Sequence, residues 1–222
     1  MPPATLGPLS LLRASWFDLR HGLPIALRAL ARRFGLLGTV GILARVARRR
    51  LLADPLAGLP AGSLGAVEER LTRRQLRGLF LLDDVLEREL DLPVAERLAL
   101  LKPIVGEAGA RFIAQGAKIS AARWRAATDA ERRGDAVKAM AHFPNARTVL
   151  RLATEDALEF DVTYCRLAEA CLDTGREHLA PLFCHADALY FDGRGGRPSL
   201  EREETIAAGD PRCAFRLHLP SP

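Results

Sequence analysis

Lysine is nearly missing from this chain: three lysines stand against 29 arginines in 222 residues. Codon bias in a GC-rich genome accounts for such a ratio, so no phosphate-binding role is read from it. Aromatic residues make up only 6%, and no aromatic-rich nucleic-acid motif accompanies the basic charge, so nucleic acid is not an expected partner. The sequence contains no GxGxxG and no Walker A loop. Gly193, Gly195 and Gly196 fall in a turn between Asp192 and Pro198 instead of between a strand and a helix. CxxC and HExxH are also missing, which removes the strongest zinc spacings. The longest uncharged runs near the start, residues 1–12 and 34–44, have 12 and 11 residues, well short of the ~20 that a spanning helix needs. Residues 1–10 carry no charged n-region, and no small-residue cleavage site follows an apolar core, so a cytoplasmic location is expected. The four cysteines, Cys165, Cys171, Cys184 and Cys213, all lie in the last 60 residues. In a reducing compartment they are expected as free thiols.

What is present suffices for a core: 49% apolar and 27% charged residues describe an ordinary globular protein. The formal charge of +5 is unevenly spread. Residues 1–50 hold nine arginines against Asp18, a formal +8, which leaves −3 for the remaining 172 residues. Such an end suits a peripheral contact with an anionic membrane, or with a protein, through the basic N-terminal helix. The plainer alternative is a solvated helix face.

The pattern predicts a basic helical segment over residues 1–60 and a single α+β domain over 61–222. Within the first, Leu27, Leu30, Ala31, Phe34, Leu37 and Val40 form one apolar stripe at helical spacing. Residues 55–65, with two prolines and three glycines, read as the connecting loop. Residues 63–143 read as helical: one helix from about Ala66, a second opened by Pro93 and kinked at Pro103, then a helical run over 107–127. The period then drops to two. Over residues 144–219 the alternation of Leu158, Phe160, Val162 and Tyr164 against Glu159, Asp161, Thr163 and Cys165 predicts two strands joined near Glu155 and Asp156. A helix from Cys165 to Thr174 stops at Gly175, and two more strand-like segments flank a turn at 208–211, with Cys213, Phe215, Leu217 and Leu219 on one face. The fold class is therefore α+β: a helix-rich N-terminal half followed by an antiparallel sheet with an embedded helix.

The segment LFCHADALYF, residues 182–191, concentrates chemistry. Cys184 and Asp187 are three apart and share one side of a helical turn, whereas His185 points elsewhere. A thiol beside a carboxylate suits nucleophilic addition and proton transfer at a carbon–nitrogen centre; the alternative is a buried cysteine and a turn aspartate. Cys165 sits where strand becomes helix, a position that lowers a thiol pKa. Cys171 lies on the apolar stripe of its helix and reads as core, and Cys213 beside Phe215 also reads as core.

Taken in order, Cys165, Gly175, Cys184, Asp187, Arg202, Thr205, Gly209-Asp210 and Cys213-x-Phe215 resemble the C-terminal half of the L-2-amino-thiazoline-4-carboxylic acid hydrolase family over roughly residues 145–217. Ala214 stands where that family commonly has an acidic residue. The resemblance implies a hydrolase that opens or hydrolyses a C–N bond of a small cyclic amidine, similar to 2-aminothiazoline-carboxylate, by ring opening with water. It gives Cys184, Asp187 and Cys165 catalytic roles, with Arg202, Thr205 and Cys213 in substrate binding, and it requires no cofactor. The alternative is a small-molecule or metal-binding sensory or accessory domain, since the same cysteines are similar to those of vinyl-reductase-like domains. On that reading zinc would be held through Cys165, Cys184 and Cys213. A small-molecule substrate and a homo-oligomer complete the expected partners.

Overall fold

A computed structural model describes residues 9–116 and 120–220. The chain opens with α1 (Leu9–Phe17), which passes through one wide π turn at Asp18–Gly22 into α2 (Leu23–Leu52). Pro24 lies in the first turn of α2, where its missing N–H is no loss. Gly35, at φ 69° and ψ 178°, breaks α2 into two helical runs. A side chain there would meet nothing within 4 Å, so glycine is required for its backbone conformation and not for space.

That break overturns part of the predicted stripe. Leu30 is buried and Leu27, Ala31 and Phe34 are half-buried, but Leu37 and Val40 are 90% and 64% exposed. The extended residue at Gly35 resets the helical phase, so positions that continue the spacing on paper leave the core face. Ile25, Leu30 and Ile42 nonetheless join Leu56, Leu76, Phe80, Leu86 and Leu101 in one apolar cluster.

The helix predicted from Ala66 is α3 (Ala66–Arg88), and the one opened by Pro93 is α4 (Val94–Gly116), with Pro103 inside it. The run predicted over 107–127 is not one helix: α4 ends at Gly116 and α5 (Ala121–Ala126) is separate. Ile119 lies outside the described residues. A capping box then starts α6 (Asp129–Met140): Thr128 N–H donates to Glu131 Oε2 at 2.8 Å, and Glu131 N–H donates to Thr128 Oγ1 at 3.4 Å.

The sheet follows as predicted. Strands β1 (Ala146–Ala153) and β2 (Ala157–Cys165) are joined around Glu155 and Asp156, and β3 (Ser199–Glu201) and β4 (Cys213–His218) complete it. All pairings are antiparallel, in the order β1-β2-β4-β3. Leu158, Phe160 and Val162 of β2 pair with Leu217, Phe215 and Cys213 of β4. These six side chains point to one face and form a second apolar cluster with Trp124, Ala136 and Met140. Phe160 and Phe215 stack with ring centroids 4.7 Å apart. The embedded helices are α7 (Arg166–Asp173), which ends two residues before Gly175, and α8 (Ala180–Tyr190).

Two contacts lock α7 and α8 in place. Arg166, 1% exposed, donates through Nε and Nη2 to both oxygens of Glu69, each at 2.9 Å, and through Nη2 to the Pro60 carbonyl at 2.5 Å. It therefore ties α3 and the 55–65 loop to the start of α7. On α8, Ala186 faces Gly109 of α4 so closely that a Cβ on Gly109 would lie 2.5 Å from the Ala186 Cβ. Only a hydrogen there lets the two helices approach this far.

Candidate functional site

The two apolar clusters meet at Cys165 and Ile206, which pack against both. Around this seam the chain assembles five of the six predicted site residues. Cys165 caps the N-terminus of α7. Cys184 and Asp187 project from α8, and Cys213 opens β4. Arg202 follows β3 and reaches back between them.

Arg202 organises the centre. Its Nη1 donates to Asp187 Oδ2 at 2.8 Å and its Nη2 donates to the Cys184 carbonyl at 2.8 Å. The guanidinium lies 4.7 Å from the centroid of the Phe215 ring, a cation–π contact on one face. The Arg202 and Asp187 side chains are 7% and 17% exposed. This fork geometry is one that lysine cannot supply.

The seam is largely buried, and its titration behaviour follows. Burial lifts the Asp187 carboxyl to about 6, against the pull of Arg202. Burial likewise pushes the Cys184 thiol up to about 12, although Arg202 draws it down. Cys165 rises to about 11 because desolvation outweighs the amides of Ala168 and Leu167 at the helix start. The helix N-terminus is where the sequence places it, but in this setting it does not yield a thiolate. Cys213 is raised too, chiefly by burial, and its Sγ accepts the Ile206 N–H at 3.3 Å. The charges of Cys165, Cys184, Cys213 and Asp187 act on one another, so these groups share one small space.

Thr205 enters differently. Its N–H donates to Asp210 Oδ2 at 2.8 Å, and its carbonyl accepts the Asp210 N–H at 3.2 Å. Asp210 is thus a turn former, and the contacts of Thr205 with it run through the Thr205 backbone, within the turn. Cys171 is a buried core thiol lifted to about 12 by burial. His185 faces α4, near Gly106, with its pKa lowered first by burial and then by Lys102. The sequence reading missed Phe215 as the platform under Arg202, although the Cys213-x-Phe215 spacing does place both on the inner face of β4.

Two surface clefts lie elsewhere. One of about 450 Å³ is lined by Arg123, Glu131, Asp135 and Lys138 among others, and one of about 240 Å³ lies between α2 and α4. Neither contains a predicted site residue, and neither combines a thiol with a carboxylate of raised pKa. The thiols and the raised carboxyl lie instead at the seam, where Arg202 and Asp187 are paired. Among the described residues, no group of three or more His, Cys, Asp or Glu is arranged to hold a metal ion.

The family model described as L-2-amino-thiazoline-4-carboxylic acid hydrolase matches residues 84–217, which takes in α4 to α8, β1 to β3, β4 up to Leu217 and every residue of the seam. No curated protein and no solved structure gives a significant match.

Proposed function

Because this chain belongs to the L-2-amino-thiazoline-4-carboxylic acid hydrolase family, we propose that it hydrolyses a small cyclic amidine carboxylate at the Asp187–Arg202 pair. One observation carries the reading: a carboxylate and a guanidinium, joined at 2.8 Å and mostly buried, stand beside three neutral thiols. The family's named substrate is a zwitterion with an amidinium at one end and a carboxylate at the other. It complements the pair group for group. On binding, the pair opens, Asp187 takes the amidinium N–H and Arg202 takes the carboxylate through its two-pronged fork.

Asp187 then handles the protons. Above about pH 6 it is ionised, within reach of neutral pH as a general base. Water adds to the amidine carbon while Asp187 accepts its proton. Collapse of the tetrahedral adduct forms the new C=O as its hydroxyl proton passes to solvent, breaks the ring C–S bond, and Asp187 returns its proton to the departing sulfur. The product is the substrate plus one water, an N-carbamoyl amino thiol. Cys184, expected as the nucleophile, is a thiol at about 12. It is therefore neutral near pH 7, and we assign the attack to water, which the hydrolysis consumes in any case and which Asp187 deprotonates only as the new C–O bond forms. Cys184, Cys165 and Cys213 supply the apolar, polarisable wall.

The test is conversion of L-2-amino-thiazoline-4-carboxylate by the purified full chain, followed as a mass gain of one water. Turnover is expected. 2-Aminothiazoline, which lacks the carboxylate, should be a poorer substrate by about 10- to 100-fold in kcat/KM, the loss of one charge-assisted interaction. Absence of turnover, or equal use of both compounds, would overturn the reading.

A further inference from the structure

The second half of α2, after Gly35, carries an apolar face left exposed among the described residues. Leu36, Leu37, Val40 and Leu51 are 78%, 90%, 64% and 87% exposed. With exposed Ala44 and Ala47 they form one stripe at spacings of three, four and seven residues. The opposite face, through Thr39 and Ile42, is buried. Scattered single exposed apolar residues are ordinary, but a continuous stripe marks an interaction surface. On the other side of Gly35, Leu12, Trp16 and Leu19 are also at least 60% exposed.

Charge identifies the occupant. Arg45, Arg48 and Arg49 share a single carboxylate, Glu89, at 3.6, 3.3 and 2.5 Å, which leaves a surplus of two positive charges. Arg20, Arg32 and Arg50 have no carboxylate partner among the described residues. Two copies meeting through this face would set arginine against arginine. An anionic surface would neutralise them. Among the described residues, no helix is long and apolar enough to cross a membrane, so the face suits an interfacial position, with leucines in the acyl boundary and arginines at the headgroups.

We propose that the outer face of the second half of α2 docks this protein on an anionic membrane surface. The test is co-sedimentation of the full chain with phosphatidylcholine vesicles, with and without phosphatidylglycerol. Binding is expected only with phosphatidylglycerol and should weaken as salt is raised. A Leu37→Glu, Val40→Glu double variant, both sites being solvent-exposed, should bind at least about tenfold more weakly. Arg50→Ala should cost about fivefold. Equal binding to uncharged vesicles, or full binding by the double variant, would overturn the proposal. So would a wild-type dimer that ignores vesicles and that the double variant dissociates, since that result assigns the face to a second copy.

Discussion

Asp187 makes an unusual contribution to stability, and its sign can be worked out. Burial raises its carboxyl from an ordinary 3.8 to about 6, which corresponds to about 3 kcal/mol across the full range. Between those values the folded chain holds a proton that the unfolded chain has released. Stability from this group therefore falls as pH rises from about 4 to about 6. Glu69 runs the opposite way: the Arg166 hydrogen bond holds its pKa low, and its contribution is lost as pH falls. Asp161 does the same. Burial opposes its charged form, but Arg151, Arg216 and Arg212 together outweigh it. Comparison with Asp187→Asn cancels these other groups and isolates the one slope. Urea unfolding at about pH 4.5 and about pH 7.5 captures roughly 2 of the 3 kcal/mol. Wild type should lose that much more stability between the two than the variant does. Equal pH dependence in both would refute the claim that Asp187 sits in a buried seam.

Three further outcomes follow from the packing. Arg166→Met leaves Glu69 with its main partner gone, and should cost about 3–5 kcal/mol in chemical denaturation. Gly109→Val drives a side chain into Ala186 of α8; it should destabilise by about 1–3 kcal/mol and depress turnover further by shifting Cys184 and Asp187. Iodoacetamide should modify the native protein's cysteines at pH 7.5 far more slowly than those of the urea-unfolded chain, with rates climbing only above about pH 10. Rapid labelling of Cys184 at neutral pH would contradict its raised thiol.

Much of this arrangement is legible in the residues themselves. The switch from a period of 3.6 to a period of 2 near Asn145 marks the sheet, and the inner face of β4 follows from Cys213, Phe215, Leu217 and Leu219. Cys184 and Asp187 share a side of α8 because helical spacing requires it. What the pattern hides is long-range. Gly35 reads as one small residue in an apolar run, yet its positive φ turns Leu37 and Val40 outward. Arg202 reads as a free clamp for substrate, but it arrives already paired with Asp187, a meeting across fifteen residues that no local rule specifies. The position of Cys165 at a helix start argues for a thiolate. Desolvation at the junction of two cores reverses that, and burial of this kind comes only from the tertiary packing.

The most direct test of Asp187 as the proton carrier compares three proteins on L-2-amino-thiazoline-4-carboxylate: wild type, Asp187→Asn and Cys184→Ala. The water-attack mechanism predicts a loss of about 10²- to 10⁴-fold in kcat for Asp187→Asn. Cys184→Ala should stay within about tenfold of wild type, with no mass adduct on the acid-quenched wild-type protein. Abolished turnover in Cys184→Ala, together with an adduct on Cys184 and an active Asp187→Asn, would contradict it and restore the thiol as nucleophile.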